Sequence, residues 1–183
     1  TMVIMKGTSS SRGFRVTFHG ATQAVTGSMH LLEIPGARVL LDCGLLLGRS
    51  DEVYPRNRRF PFAPDSLDAV VISHAHVDHC GNLPNLVRQG YGGPIYCTPP
   101  TRDLLGIMLA DSAKIQAEDA ARAERFGDPP RPALYSQRDV ARTLDQCVTV
   151  PYRTPFTLTD SLRVRLLDAG HLLGSAMVVL DLD

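Results

Sequence analysis

Residues 73–79 read Ser73-His74-Ala75-His76-Val77-Asp78-His79, which gathers half of the chain's six histidines, with one aspartate, into a single short segment. Imidazole and carboxylate are favoured ligands for zinc and similar divalent ions. The segment follows an apolar run, Leu67-Asp68-Ala69-Val70-Val71-Ile72, which reads as a buried strand. On an extended or irregular segment behind that strand, positions two apart project to one side, so His74 and His76 are spaced to chelate one ion. Asp78 and His79 then turn back and are spaced to hold a second. A helix would spread these side chains around its axis. The competing reading, a polar loop that happens to be histidine-rich, is opposed by the clustering of so scarce a residue in one place.

Two more positions join this constellation. Asp42 ends a strand and precedes Cys43-Gly44, where the chain must turn. A carboxylate there can orient a metal-bound water or a ligand histidine, although it also suits a turn-forming aspartate. His171 lies in Ala169-Gly170-His171-Leu172-Leu173-Gly174-Ser175-Ala176, and flanking glycines let the backbone approach closely. The first ion needs a third ligand, and His171 can supply it. His19 and His30 lack such a setting and read as loop and strand residues. Cys80 reads as a packed thiol. Arg49 and Arg56-Asn57-Arg58-Arg59 can touch a phosphate backbone, but solvated surface charge is the better reading.

The elements that must position these residues follow from periodicity. Alternation predicts strands at 14–18, 29–34 and 37–41, the last two forming a hairpin about Pro35-Gly36. Residues 44–66 read mostly as loop. A short helix is expected over 82–88 and a strand over 94–97. A long helix should run from Thr101 to about Arg125 and break at Asp128-Pro129-Pro130-Arg131-Pro132. Ser136 with Asp139 forms a capping-box-like start for a second helix reaching about Cys147. Strands are expected again at 148–150, 162–167 and 176–180. This order suggests an α/β fold with a helix-covered sheet.

Composition narrows the class. The 183 residues suffice for one domain with a real core, 44% are apolar, and 19 basic against 19 acidic residues leave no net field to draw in nucleic acid. No apolar stretch is long enough for a membrane helix. Residues 1–13, with their serine run, read as a disordered leader, and residues 14–183 as the folded part. Four widely spaced cysteines, without a secretory signal, read as reduced thiols, so the cytoplasm is the expected compartment.

His74-Ala75-His76-Val77-Asp78-His79 resembles the signature of the metallo-β-lactamase superfamily, and Asp42 matches that superfamily's upstream aspartate. The segments Gly20–Ser28, Leu40-Leu41-Asp42-Cys43-Gly44 and Ala169–Ala176, with the helical region 101–147, are similar to the β-CASP branch: ribonuclease J-like enzymes and relatives of the pre-mRNA 3′-end cleavage endonuclease. The resemblance implies an αββα sandwich, represented here by its first half. It also implies two zinc ions, with manganese as an alternative. One would take His74, His76 and His171, and the other Asp78 and His79. A metal-bound hydroxide would attack an RNA phosphodiester, with Asp42 and Asp78 as catalytic residues.

The chain also departs from that pattern. The family's bridging aspartate should fall ~20 residues past His171, but the sequence stops at Asp183, and neither Asp181 nor Asp183 is assigned to the role. The inserted β-CASP domain, the final metal histidine and much of the second sheet are expected to be missing. The isolated chain is therefore expected to be inactive, and to aggregate or form a homodimer through an uncovered apolar sheet face. Two other readings are a hydrolase of small thioesters or lactams on the same fold, and a non-catalytic metal-binding module completed by another chain.

Overall fold

The computed structural model describes residues 3–7 and 13–182. Among the described residues, ten strands and five α-helices form three layers. The first sheet contains β2 (Arg15–Phe18), β3 (His30–Ile34), β4 (Ala37–Leu41), β5 (Ala69–Val71), β6 (Ile95–Cys97) and β7 (Cys147–Thr149), in that spatial order. β2, β3 and β4 pair antiparallel, whereas β4 through β7 run parallel. The second sheet has the order β1 (Val3–Gly7), β10 (Ala176–Leu182), β9 (Leu162–Asp168), β8 (Phe156–Thr159). The helices are α1 (Ser50–Arg58), α2 (Val77–Cys80), α3 (Leu83–Arg88), α4 (Pro99–Phe126) and α5 (Gln137–Asp145).

Burial on both faces explains why the central strands are apolar without alternation. Leu31, Leu40, Val70 and Ile95 face a core shared with Leu86, Leu105, Leu109 and Val140 of the helices. Leu32, Val39, Leu41 and Val71 face the opposite way, onto Leu162, Val164, Leu166, Val178 and Leu180 of the second sheet. β9 does alternate: Leu162, Val164 and Leu166 point into the sandwich while Arg163 and Arg165 point out. Arg165 pairs with Asp181 across that outer side.

Several expectations are corrected. The second sheet is present with four strands, and its inner face is filled. Its outer side is mixed, with the Arg165–Asp181 pair beside Leu167, Met177 and Val179, rather than uniformly apolar. β8, short and edged by turns, forms where no strand is expected. In the expected leader, Val3–Gly7 forms a strand in parallel register with β10, from Val3 beside Val178 to Gly7 beside Leu182. The Val3-Ile4-Met5 run outweighs the serines that follow, and residues 8–12 lie outside the described residues.

The expected loop at 44–66 contains α1, which tolerates Pro55 within it. Asp51 and Glu52 in its first turn and Arg56 and Arg58 in its last suit the helix dipole. Asn57 is buried rather than displayed with its arginine neighbours. Its side chain accepts from Leu46 N and donates to Leu46 O, both at 2.9 Å. The helix expectations elsewhere hold. Thr98 caps α4, Gly127 ends it in the left-handed conformation, and Ser136 and Asp139 form a reciprocal capping box on α5. No helix among the described residues is long and apolar enough to cross a membrane.

Candidate metal centre

β4 and β5 are parallel neighbours, so their carboxyl ends lie side by side. Asp42 leaves the first and Ser73–His79 leaves the second. His74 and His76 lie on extended chain. Asp78 and His79 then sit on the single helical turn α2, not on an irregular return, with His76 as its extended N-cap. A register of main-chain bonds straps the metal loop to the turn after Asp42. Cys43 N donates to His79 O at 2.8 Å, Leu45 N to Val77 O at 3.0 Å, and Ser28 N to Asp78 O at 2.8 Å. Gly44 lies so close that an added Cβ would stand 1.7 Å from Asp78 O. Only glycine fits there.

His171 comes from the other sheet, in the turn between β9 and β10. One ring nitrogen from each of His74, His76 and His171 lies within 4.8 Å of the other two. His74 Nε2 is 3.1 Å from His76 Nδ1, and His171 Nε2 is 3.2 Å from the same atom. Two nitrogens on a tetrahedral zinc, each ~2.0–2.1 Å from it, stand about 3.3–3.4 Å apart. His76 Nδ1 is thus spaced to share one ion with each of the other two, and the three imidazoles together could hold a metal ion. His79 Nε2 and Asp78 Oδ2 are 3.6 Å apart beside them, and the His79 and His74 rings are separated by 4.0 Å between centroids.

Asp42 is fully buried and adopts φ 59°, a left-handed conformation that is costly for a non-glycine residue. Its Oδ1 accepts from Ser73 N at 2.8 Å. Its Oδ2 accepts from Ser73 Oγ at 2.9 Å, Ser28 Oγ at 3.2 Å and His79 Nδ1 at 2.7 Å. The carboxylate thus fixes the His79 ring and leaves Nε2 facing the site. Ser73 Oγ also lies 2.9 Å from His74 Nδ1, bracing that ring in turn. Ser28 and Ser73 are supports that residue-type reasoning passed over, although both stand in motifs read from the sequence.

Electrostatics favour a neutral His74. Burial, then the neighbouring His79, His76 and His171, hold the His74 pKa down to about 4, against an opposing pull from Asp42. His30 is buried near the centre, with Nε2 3.4 Å from Ser28 Oγ, and His19 packs on Phe62; burial lowers both pKa values. Cys80 is fully buried, its thiol directed at His76 O and its pKa pushed well up by desolvation, which suits packing rather than ligation. Arg49 pairs with Asp51 and Glu52, and Arg56, Arg58 and Arg59 are exposed.

Residues 23–158 match the family model described as the metallo-beta-lactamase superfamily. The chain belongs to that superfamily. Among curated relatives, a protein named transcription termination factor FttA from Methanothermobacter thermautotrophicus is 40% identical over 165 residues, covering 89% of this chain and 24% of its own length. A ribonuclease from Thermus thermophilus is 39% identical over 166 residues, covering 90% of this chain and 34% of its own. This superfamily member thus spans about a quarter to a third of these relatives. A Cronobacter sakazakii metallo-beta-lactamase with an HARLDQ motif superposes with a TM-score of 0.54 at 16% identity, over 90% of this chain and 51% of that one, which speaks for the fold alone.

Proposed function

We propose that this chain carries the metal-binding part of a zinc-dependent RNA hydrolase of the β-CASP type. The observation that carries the reading is the convergence of His74, His76 and His171 beside Asp78 and His79, in a chain similar to a protein named a ribonuclease. His74, His76 and His171 would hold one zinc, and Asp78 and His79 would contribute to a second. Metal bound there supplies positive charge for a phosphoryl oxygen and lowers the pKa of bound water. Asp42 orients His79 and keeps its Nε2 directed at the site. RNA is the proposed substrate of the whole protein, and the cytoplasm its proposed compartment, in keeping with free thiols at all four cysteines. Manganese is the alternative ion.

A second reading is a non-catalytic module whose second metal position, where Asp78 Oδ2 and His79 Nε2 stand 3.6 Å apart, is completed by another chain. Incubation with single-stranded RNA and zinc or manganese tests both. The second reading expects no cleavage of RNA, and the proposal expects His74-dependent cleavage of RNA by the whole protein. Cleavage of a thioester or lactam, with RNA left intact, would overturn it.

A further inference from the structure

His171 occupies an exposed turn, and residues 168–171 are exposed together, so side-chain packing does little to hold its ring beside His76. Hydrogen bonds to the backbone hold it instead. Ser175 is buried, and its Oγ accepts from His171 N at 3.1 Å and Leu172 N at 3.2 Å. Ser175 N returns a bond to Leu172 O at 2.9 Å, and Ser175 O accepts from Ala169 N at 3.1 Å and Tyr152 Oη at 2.8 Å. The turn is thereby closed on one residue.

The turn is also fastened to a different layer. Thr98 and Thr101, both buried at the start of α4, place their hydroxyls 2.7 and 2.9 Å from Gly174 O. The fit leaves no room for a side chain: a Cβ on Gly174, already at φ 85°, would stand 2.5 Å from Thr101 N and 2.8 Å from Thr98 Oγ1. Just beyond, Ala176 N donates to Ser73 O at 2.8 Å, joining the same strand to the residue before His74. Each contact removes freedom from the segment that presents the third imidazole. A ligand held in place before metal arrives binds more tightly, because less ordering remains to be done on binding.

We infer that Thr98, Thr101 and Ser175 are positioning residues for the metal centre: the threonine pair grips Gly174 O and Ser175 caps the His171 turn, so that α4 sets where His171 Nε2 stands. The inference rests on the proposed reading of His171 as a ligand. None of the three is a ligand in this reading, and their effect should pass entirely through His171.

The test uses the 183-residue chain and cobalt(II) as probe, whose visible absorption reports coordination number and whose affinity is measured against a chelator. Thr101→Val keeps shape but removes the hydroxyl, Ser175→Ala removes the turn cap, and Thr101→Ser restores a hydroxyl. Thr101→Val and Ser175→Ala should each weaken cobalt binding by about 10–100-fold, as supports of metal ligands do, and Thr101→Ser should restore most of it. In a His171→Ala background the same substitutions should change cobalt affinity less than about 2-fold, because the route of action is gone. An unchanged affinity in the Thr101→Val and Ser175→Ala chains, or an equal loss with and without His171, would overturn the inference. If His171→Ala alone binds cobalt like the parent chain, the ligand reading itself fails and this inference with it.

Discussion

Replacing Asp42 by asparagine keeps the shape of the buried carboxylate and changes its chemistry at one atom. Oδ1 faces the fixed N–H of Ser73, while Oδ2 receives Ser73 Oγ, Ser28 Oγ and His79 Nδ1. An amide has one acceptor oxygen for these two roles. If its NH2 faced Ser73 N, two donors would meet in the interior at a cost of about 1–3 kcal/mol. The oxygen should therefore stay on Ser73 N and the NH2 should turn toward His79. The serine hydroxyls can rotate to accept, but a neutral imidazole can accept at Nδ1 only by moving its proton to Nε2. That nitrogen lies 3.6 Å from Asp78 Oδ2, where the second ion would bind. A protonated Nε2 cannot ligate, so affinity at the Asp78–His79 position should fall about 10–100-fold, or roughly 1.4–2.7 kcal/mol. The His74–His76–His171 position should change much less, being linked to Asp42 only through Ser73. Long-range proton–nitrogen NMR on histidine-labelled chain, under mildly alkaline conditions, reads the tautomer directly, and manganese titration reads the second site. An Asp42→Asn chain whose His79 keeps its proton on Nδ1, with unchanged manganese binding, would refute this account of Asp42.

Other expectations follow from the same geometry. Zinc content by elemental analysis should fall in His76→Ala, whose Nδ1 stands within 3.2 Å of both partner nitrogens; undiminished zinc would remove His76 from the site. Gly44→Ala drives a Cβ onto Asp78 O, so it should cost at least the ~1–3 kcal/mol of an overpacked core and lower the melting midpoint by several degrees. A neutral result there would mean that the strap between residues 43–45 and 77–79 yields easily. His74 has a folded pKa of about 4 against an ordinary 6.5, so on acidification the unfolded chain takes up the proton first. Stability of the metal-free chain should therefore decline through that window, by at most ~1.4 kcal/mol per pH unit, and level off below it. Urea unfolding at several pH values checks this against His74→Gln, and an equally steep decline in that variant would assign the proton elsewhere.

Local chemistry made much of this protein legible. The paired imidazoles and the following Asp-His could be read because ligand spacing is a property of a few consecutive residues. The Ser136–Asp139 box could be read because such a cap satisfies backbone groups within one turn. Elements whose signal was weak or mixed were read less well. Helix α1 contains a proline and depends on Asn57 gripping Leu46, and strand β1 exists because Val3–Gly7 finds a parallel partner in β10.

The candidate site is different in kind. His171 meets His76 across 95 positions, and Asp42 meets His79 across 37. No periodicity encodes such meetings. They arise because β4 and β5 end side by side, and because burial of the Leu32–Val71 and Leu162–Leu180 faces draws the two sheets together until their loops share one edge. The amino-acid sequence by itself determined which side chains were fit to hold metal. Packing of the two sheets decided which of them meet, and at what separation.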